Sequence, residues 1–201
     1  MTLLEDRPAA AIRNDSPDVL HTARLILRPP CADDARAIAA LANDIRIAQN
    51  TTRIPYPYTL PDAYAWLRVV SNGAAGATWL VTLRDGTMIG ACGVEPMHAQ
   101  GKPELGYWLG THYWGHGYAT EAARAAIDHA FSALDCKELH SGARISNPAS
   151  RRVLEKCGFQ WSGVGLYRIR SLASSAPIDR FRLDRGIWSS LKSWGKPRHA
   201  V

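Results

Sequence analysis

Long apolar runs are absent from this chain. Across its 201 residues none approaches the roughly 18 that a membrane-spanning helix needs, so no membrane partner is expected. A secretory leader is also missing. The first twenty residues carry Glu5, Asp6, Arg7 and two prolines, with no apolar h-region. Residues 1–19 read instead as a flexible arm ahead of the fold. Cysteine is scarce. Cys31, Cys92, Cys136 and Cys157 form no Cys-x-x-Cys pair, so they signal neither a zinc site nor a disulfide framework. Buried, reduced thiols in a cytoplasmic protein account for them most simply. His112 and His116 are four apart, but Gly115 interrupts any helix there, so no metal site is expected. The net charge is +6, and some of the excess lies at Lys192, Lys196 and Arg198. A basic balance suits any polyanion, and equally a solubilising surface. No helix shows a dense Lys/Arg face, so nucleic acid is not an expected partner.

What is present reads as one mixed α/β domain over 20–186, followed by a tail over 187–201 that is apolar enough to dock on a partner or on its own domain. Leu20 to Leu27 reads as a first strand, stopped by Pro29 and Pro30. Asp33 and Asp34 suit the start of a helix that runs to Asn43. Ile54 to Tyr58 is a Pro-rich loop, and Pro61 to Val70 a second helix. Trp79 to Leu83 and Met88 to Val94 form a hairpin about Asp85-Gly86, and Glu104 to Leu109 is the next strand. Ala119 to Leu134 is strongly amphipathic, with apolar residues at i, i+3, i+4 and i+7 spacing. Leu139 to Ile145 is a further strand. Asn147-Pro148 opens a helix that ends at Gly158. Phe159 to Val164 and Phe181 to Asp184 complete the strands, with a Ser-rich loop between them.

The segment Trp114-Gly115-His116-Gly117-Tyr118-Ala119-Thr120 joins a strand to the amphipathic helix. Its glycines permit tight turns and leave amides unshielded. The helix start adds unpaired N–H groups and a positive dipole end, which together suit phosphate. No lysine lies in the loop, which excludes a Walker A site. A dinucleotide fingerprint fits poorly, because Thr120 stands where a third Gly or Ala belongs and Asp135 precedes the next strand. A plain glycine-rich turn remains an alternative for the loop taken alone.

Three motifs occur together in order. They are Glu104-Leu105-Gly106-Tyr107-Trp108-Leu109, the Trp114 to Glu121 run, and Asn147-x-x-Ser150 with Glu155-Lys156-x-Gly158-Phe159. Combined with Thr22-x-Arg24-Leu25 and Leu27-Arg28, they resemble the GNAT acetyltransferases, in the branch of the ribosomal-protein N-terminal (alanine/serine) acetyltransferases. The resemblance covers residues 20 to 185. It implies a GNAT fold: a central mixed, mostly antiparallel sheet with a splayed parallel strand pair and flanking helices. It implies an acetyl-CoA-dependent N-acetyltransferase acting on a primary amine, either a protein N-terminal α-amine or a small molecule. A module that binds acetyl-CoA without turnover is the alternative. A homodimer is possible on the same resemblance.

The resemblance also implies residue roles. Trp108, Leu109 and Gly110 match the splayed strand that pairs with the pantetheine arm. The amides of Gly115, His116, Gly117, Tyr118, Ala119 and Thr120 would hold the pyrophosphate. Trp114 stands where the motif has Arg or Gln, which puts side-chain bonding to phosphate in doubt there. Asn147 matches a residue that bonds the pantetheine arm, and it also suits a helix N-cap. Direct attack of a neutral amine on the thioester is expected. A backbone N–H near Trp108 or Leu109 would face the oxyanion. Ser150 stands where many members carry a tyrosine that assists the leaving thiolate. Glu104 is the leading candidate base, with Glu95 and His98 behind it. An α-amine, with a pKa near 8, asks less of that base than a lysine near 10.4. Tyr56 and Tyr58 are candidates for lining the acceptor site. Trp66, Trp79, Trp161, Trp188 and Trp194 read as core or docking residues.

Overall fold

The computed structural model describes residues 18–96 and 102–193. Its strands form one eight-stranded sheet in the order β1-β2-β3-β4-β5-β6-β8-β7. The ranges are β1 Leu20–His21, β2 Leu25–Arg28, β3 Ala77–Leu83, β4 Met88–Pro96, β5 Pro103–Leu109, β6 Glu138–Arg144, β7 Gln160–Ile169 and β8 Ser174–Asp184. Every neighbouring pair is antiparallel except β5 and β6, which run parallel.

Two helical layers cover the sheet. On one face lie α4 (Tyr118–Ser132), α5 (Pro148–Lys156) and α6 (Arg185–Ser193). Ala122, Ala123, Ala126, Ile127, Ala130 and Phe131 of α4 are buried there against Leu25, Trp79, Val94, Leu105 and Leu139. These are the positions that the 3.6-residue periodicity selects, and their alanines let the helix lie close to the strands. On the other face, α1 (Ala35–Ala42) and α3 (Leu60–Ser71) pack Ile38, Ala63 and Leu67 on Leu80 and Ala91.

Four features depart from the sequence reading. The expected first strand is a hairpin, broken at Thr22-Ala23-Arg24, where the Thr22 hydroxyl accepts from the Leu25 amide at 2.9 Å. A short helix α2 (Ile45–Ala48), capped by Asp44, lies before the Pro-rich loop. The Ser-rich segment is largely strand: β8 starts at Ser174 and pairs with β7 through nine registers. Not all cysteines are buried, because Cys31 is exposed and Cys136 half-buried. Burial raises the Cys92 thiol to about 12 and the Cys157 thiol to about 11, so neither ionises near neutrality.

Helix α6 packs on its own domain. Trp188 stacks on Phe131 at 5.1 Å, and its indole N–H donates to Asp128 at 2.7 Å. No described helix is long and apolar enough to cross a membrane. The arm up to residue 17, His98, Trp194, Lys196 and Arg198 lie outside the described residues.

Candidate active site

The centre of the sheet opens between β5 and β6. Their pairing is confined to one register, Glu104 opposite His140. One residue further along, the Leu105 carbonyl is met by the Ser141 hydroxyl at 2.8 Å instead of a backbone amide. Beyond that stitch the edge of β5 from Gly106 to Leu109 has no strand partner on the β6 side. An extended chain carrying amides can pair there. On its other edge β5 sits close to β4: a Cβ at Gly90 would lie 2.1 Å from the Trp108 carbonyl, so only glycine permits that approach. Leu109 and Gly110 are buried at the end of the strand, and the Gly110 amide donates to Ile89 at 2.9 Å.

The loop that follows turns back on β5. The Trp114 indole N–H donates to the Leu109 carbonyl at 2.8 Å, so this side chain anchors the loop to the strand rather than reaching an anion. Gly115 and Gly117 both have φ near 81°, a left-handed backbone that glycine adopts without strain. The first α-helical bond of α4 is donated by Glu121 to the Gly117 carbonyl at 3.1 Å. The amides of Tyr118, Ala119 and Thr120 therefore have no acceptor within the helix. With the positive end of the helix dipole they make an anion cradle, and these residues fit a pyrophosphate.

A latch that sequence reasoning missed holds this cradle. Glu121 accepts from the Thr22 hydroxyl at 2.6 Å, the Arg24 amide at 2.8 Å and Arg24 Nε at 2.7 Å. The Arg24 guanidinium then donates to the His116 carbonyl at 3.0 Å and lies 4.7 Å above the Tyr118 ring, which itself stacks on His116. Against the cost of burying it, the bonds from Thr22 and Arg24 hold the Glu121 carboxyl below its ordinary range.

Across the gap, Asn147 caps α5. Its side-chain oxygen accepts from the Ser150 amide at 3.1 Å, which leaves its NH₂ group as the donor to offer a ligand. Ser150 Oγ lies 2.9 Å from the Tyr107 hydroxyl. Tyr107 stood inside the β5 motif with no role assigned to it. Burial raises its pKa, so the phenol stays protonated at neutral pH.

A cavity of about 800 Å³ is lined from both faces of the sheet, by Tyr107 and Ser150 on the α5 side and by Glu104, Trp108, Tyr58 and Trp66 on the other. Glu104 is half-buried. Burial is the main cause that raises its carboxyl above the ordinary 4.5; the facing Glu95 adds to this, while Arg53 and His140 oppose it. Glu95 stands opposite Glu104 in the β4–β5 register and is paired with Arg53. Tyr58 lines the cavity, buried, with its hydroxyl pushed up to about 12. Tyr56 is exposed and does not line it. The arrangement offers an anion cradle, a free strand edge, a carboxyl with raised pKa and a hydroxyl pair around one opening in the sheet.

Comparison with known proteins agrees with that geometry. The family model described as "Acetyltransferase (GNAT) domain" matches residues 24–160. The uncharacterized N-acetyltransferase p20 of Bacillus licheniformis is 26% identical over 152 residues, covering 73% of this chain and 85% of p20. Among solved structures, Mycobacterium smegmatis RimJ in complex with CoA-disulfide matches at a TM-score of 0.72 and 20% identity, over 89% of this chain and 95% of that one. Spermidine N-acetyltransferase from Vibrio cholerae, in complex with CoA and spermine, matches at 0.70 and 19% identity, over 84% and 99%. These two structural likenesses bear on the fold. From the family match over most of its length, this chain belongs to the GNAT acetyltransferases and is an N-acetyltransferase that uses acetyl-CoA.

Proposed function

We propose that the chain acetylates a primary amine directly, an α-amine on a peptide or a small molecule, with Glu104 as the base. The observation that carries this is the half-buried Glu104 carboxyl on the cavity wall, at the one register where β5 and β6 meet. Bound acetyl-CoA supplies the thioester. The amides of Gly115 to Thr120 hold the pyrophosphate, and the β5 edge from Trp108 to Gly110 pairs with the pantetheine arm. Asn147 donates to that arm through its amide nitrogen. A backbone N–H at Trp108 or Leu109 faces the thioester oxygen. Glu104 takes the proton from the acceptor ammonium, directly or through one water. Ser150 and Tyr107 form a hydroxyl pair that donates toward the sulfur.

The test is thiol release from acetyl-CoA with N-terminal peptides, polyamines and aminoglycosides as acceptors. Release with at least one amine class is the expected result. Tight acetyl-CoA binding by calorimetry with no release from any acceptor would overturn the reading in favour of a binding module.

The latch on the cradle makes a separate prediction. Releasing Arg24 through Glu121→Ala should raise the acetyl-CoA KM about tenfold, the equivalent of about 1.4 kcal/mol, and leave the acceptor KM near its starting value. Arg24→Ala should do the same, and the double variant should cost little more than either single one. Additive losses in steady-state kinetics would show that the two side chains act independently.

A further inference from the structure

The acceptor side of the cavity carries more positive than negative charge, and the excess is unevenly satisfied. Six Arg and Lys side chains line the cavity with four carboxylates. Arg53 is paired with Glu95, Arg170 lies 3.7 Å from Asp62, and Arg182 lies 3.6 Å from Glu138. Arg144 and Arg180 pair with no carboxylate among the described residues. Arg144 donates from Nη1 to the Gln49 carbonyl at 2.7 Å, while its Nε is buried without a hydrogen-bond partner. Its Nη2 has no hydrogen-bond partner among the described residues, and a guanidinium that lines a cavity in this way pairs best with an anion.

The sheet aligns these cations with the base. Glu104 faces His140 on β6, which faces Arg182 on β8. Two residues along the same face, Gly142 faces Arg180. Neighbouring strands lie about 4.8 Å apart, so Cα of Arg182 lies roughly 10 Å from Cα of Glu104. A long arginine side chain spans much of that distance. The Arg180 side chain leans over β7, with Nη2 3.2 Å from where a Cβ at Gly163 would stand, and Ile178 fills the space above Gly142. The wall beyond the base therefore ends in guanidinium groups that share the cavity with Glu104 and that an extended acceptor reaches.

We infer that the acceptor is a primary amine that carries an anionic group on the same molecule, with the amine at Glu104 and the anion on Arg180 and Arg144. This rests on the acetyl-transfer reading above and narrows it. A polyamine brings several positive charges to a wall that is already net positive. A carboxylate-bearing amine brings negative charge, of which the wall has less. Free acidic amino acids and peptides with acidic residues behind the N-terminus share that chemistry.

The test measures kcat/KM by thiol release for tetrapeptides that share one N-terminal residue and carry acidic, neutral or basic residues behind it. Free aspartate and spermidine complete the panel. The acidic peptide or aspartate should exceed the neutral peptide about tenfold and the basic peptide and spermidine by more, with the advantage shrinking in high salt. Whichever of the two acidic acceptors is faster identifies the source of the anion. Arg180→Glu should reduce or reverse the acidic-to-basic ratio, with thermal unfolding confirming that the variant is folded. Equal rates across the panel, or a preference for spermidine, overturn this inference and leave acetyl transfer standing. Thiol release from no acceptor overturns both.

Discussion

Glu104→Gln is expected to lower kcat about 100-fold or more at neutral pH. The substitution keeps the shape of the side chain and removes its ability to accept a proton. The pH dependence separates this role from a structural one. Burial raises the carboxyl above 4.5 in the folded chain, so the active carboxylate is lost as pH falls through that raised pKa. The wild type should therefore show an acidic limb in kcat/KM set by Glu104. The Gln variant has no base and must wait for a neutral amine. With an α-amine acceptor its rate should climb with pH up to about 8, the ordinary pKa of that amine. The gap between the two enzymes should then narrow steadily toward high pH. A constant ratio at every pH would mean that Glu104 only shapes the site, and would return attention to Glu95, which occupies the opposing position on β4.

The second large effect concerns stability. Trp79→Ala should destabilise the fold by about 3–5 kcal/mol. Trp79 is fully buried on β3 in the main core. Its ring meets His129 of α4 edge-on at 5.1 Å and 84°, and its indole N–H donates to the Asp18 carbonyl at 2.9 Å. The Ala variant loses the packing, the aromatic pair and the hydrogen bond together. Trp79→Phe keeps much of the apolar volume and loses the N–H with the smaller part of the ring, so it should cost less, on the order of 1–2 kcal/mol. Urea unfolding of the three proteins at equal slope is the measurement. Equal losses in the two variants would mean that the tie to Asp18, and not the filled volume, dominates.

Different parts of this molecule were legible in the sequence for different physical reasons. Helix α4 was readable because one face had to be apolar at helical spacing, and its six buried residues are those positions. The β3–β4 hairpin was readable because Asp85-Gly86 makes a tight turn, with Gly86 at φ 89°. Asn147-Pro148 was readable because a cap and a fixed φ act locally. The turn at Thr22 to Arg24 was not, because it contains no Gly or Pro and is closed by a threonine hydroxyl. Phe181 to Asp184 read as strand, but the first part of β8 was hidden because Ser174, Ser175 and Pro177 have no strand preference; pairing with β7 holds them extended. In the site, the contiguous loop was visible and the long-range partners were not. Tyr107 and Ser150 are 43 residues apart, and Arg24 and Glu121 are 97 apart. Nothing in a linear pattern brings such pairs together. The arginines along the cavity belong to no motif, and only the pairing of β6 with β8 sets them side by side.

Under the proposed pairing, the gap between β5 and β6 makes the cosubstrate part of the architecture. Among the described residues one backbone register, the Ser141 hydroxyl and the Lys102–Glu138 ion pair join β5 to β6, so the helices beneath must supply most of the cohesion between the two halves of the sheet. A ligand whose amides lie along the free edge of β5 becomes the missing rung of a ladder. Its binding energy and the folding energy of the sheet are then drawn from the same hydrogen bonds. Thermodynamic linkage follows: the enzyme is most stable when it is loaded, and its resistance to unfolding rises with the supply of the molecule it consumes.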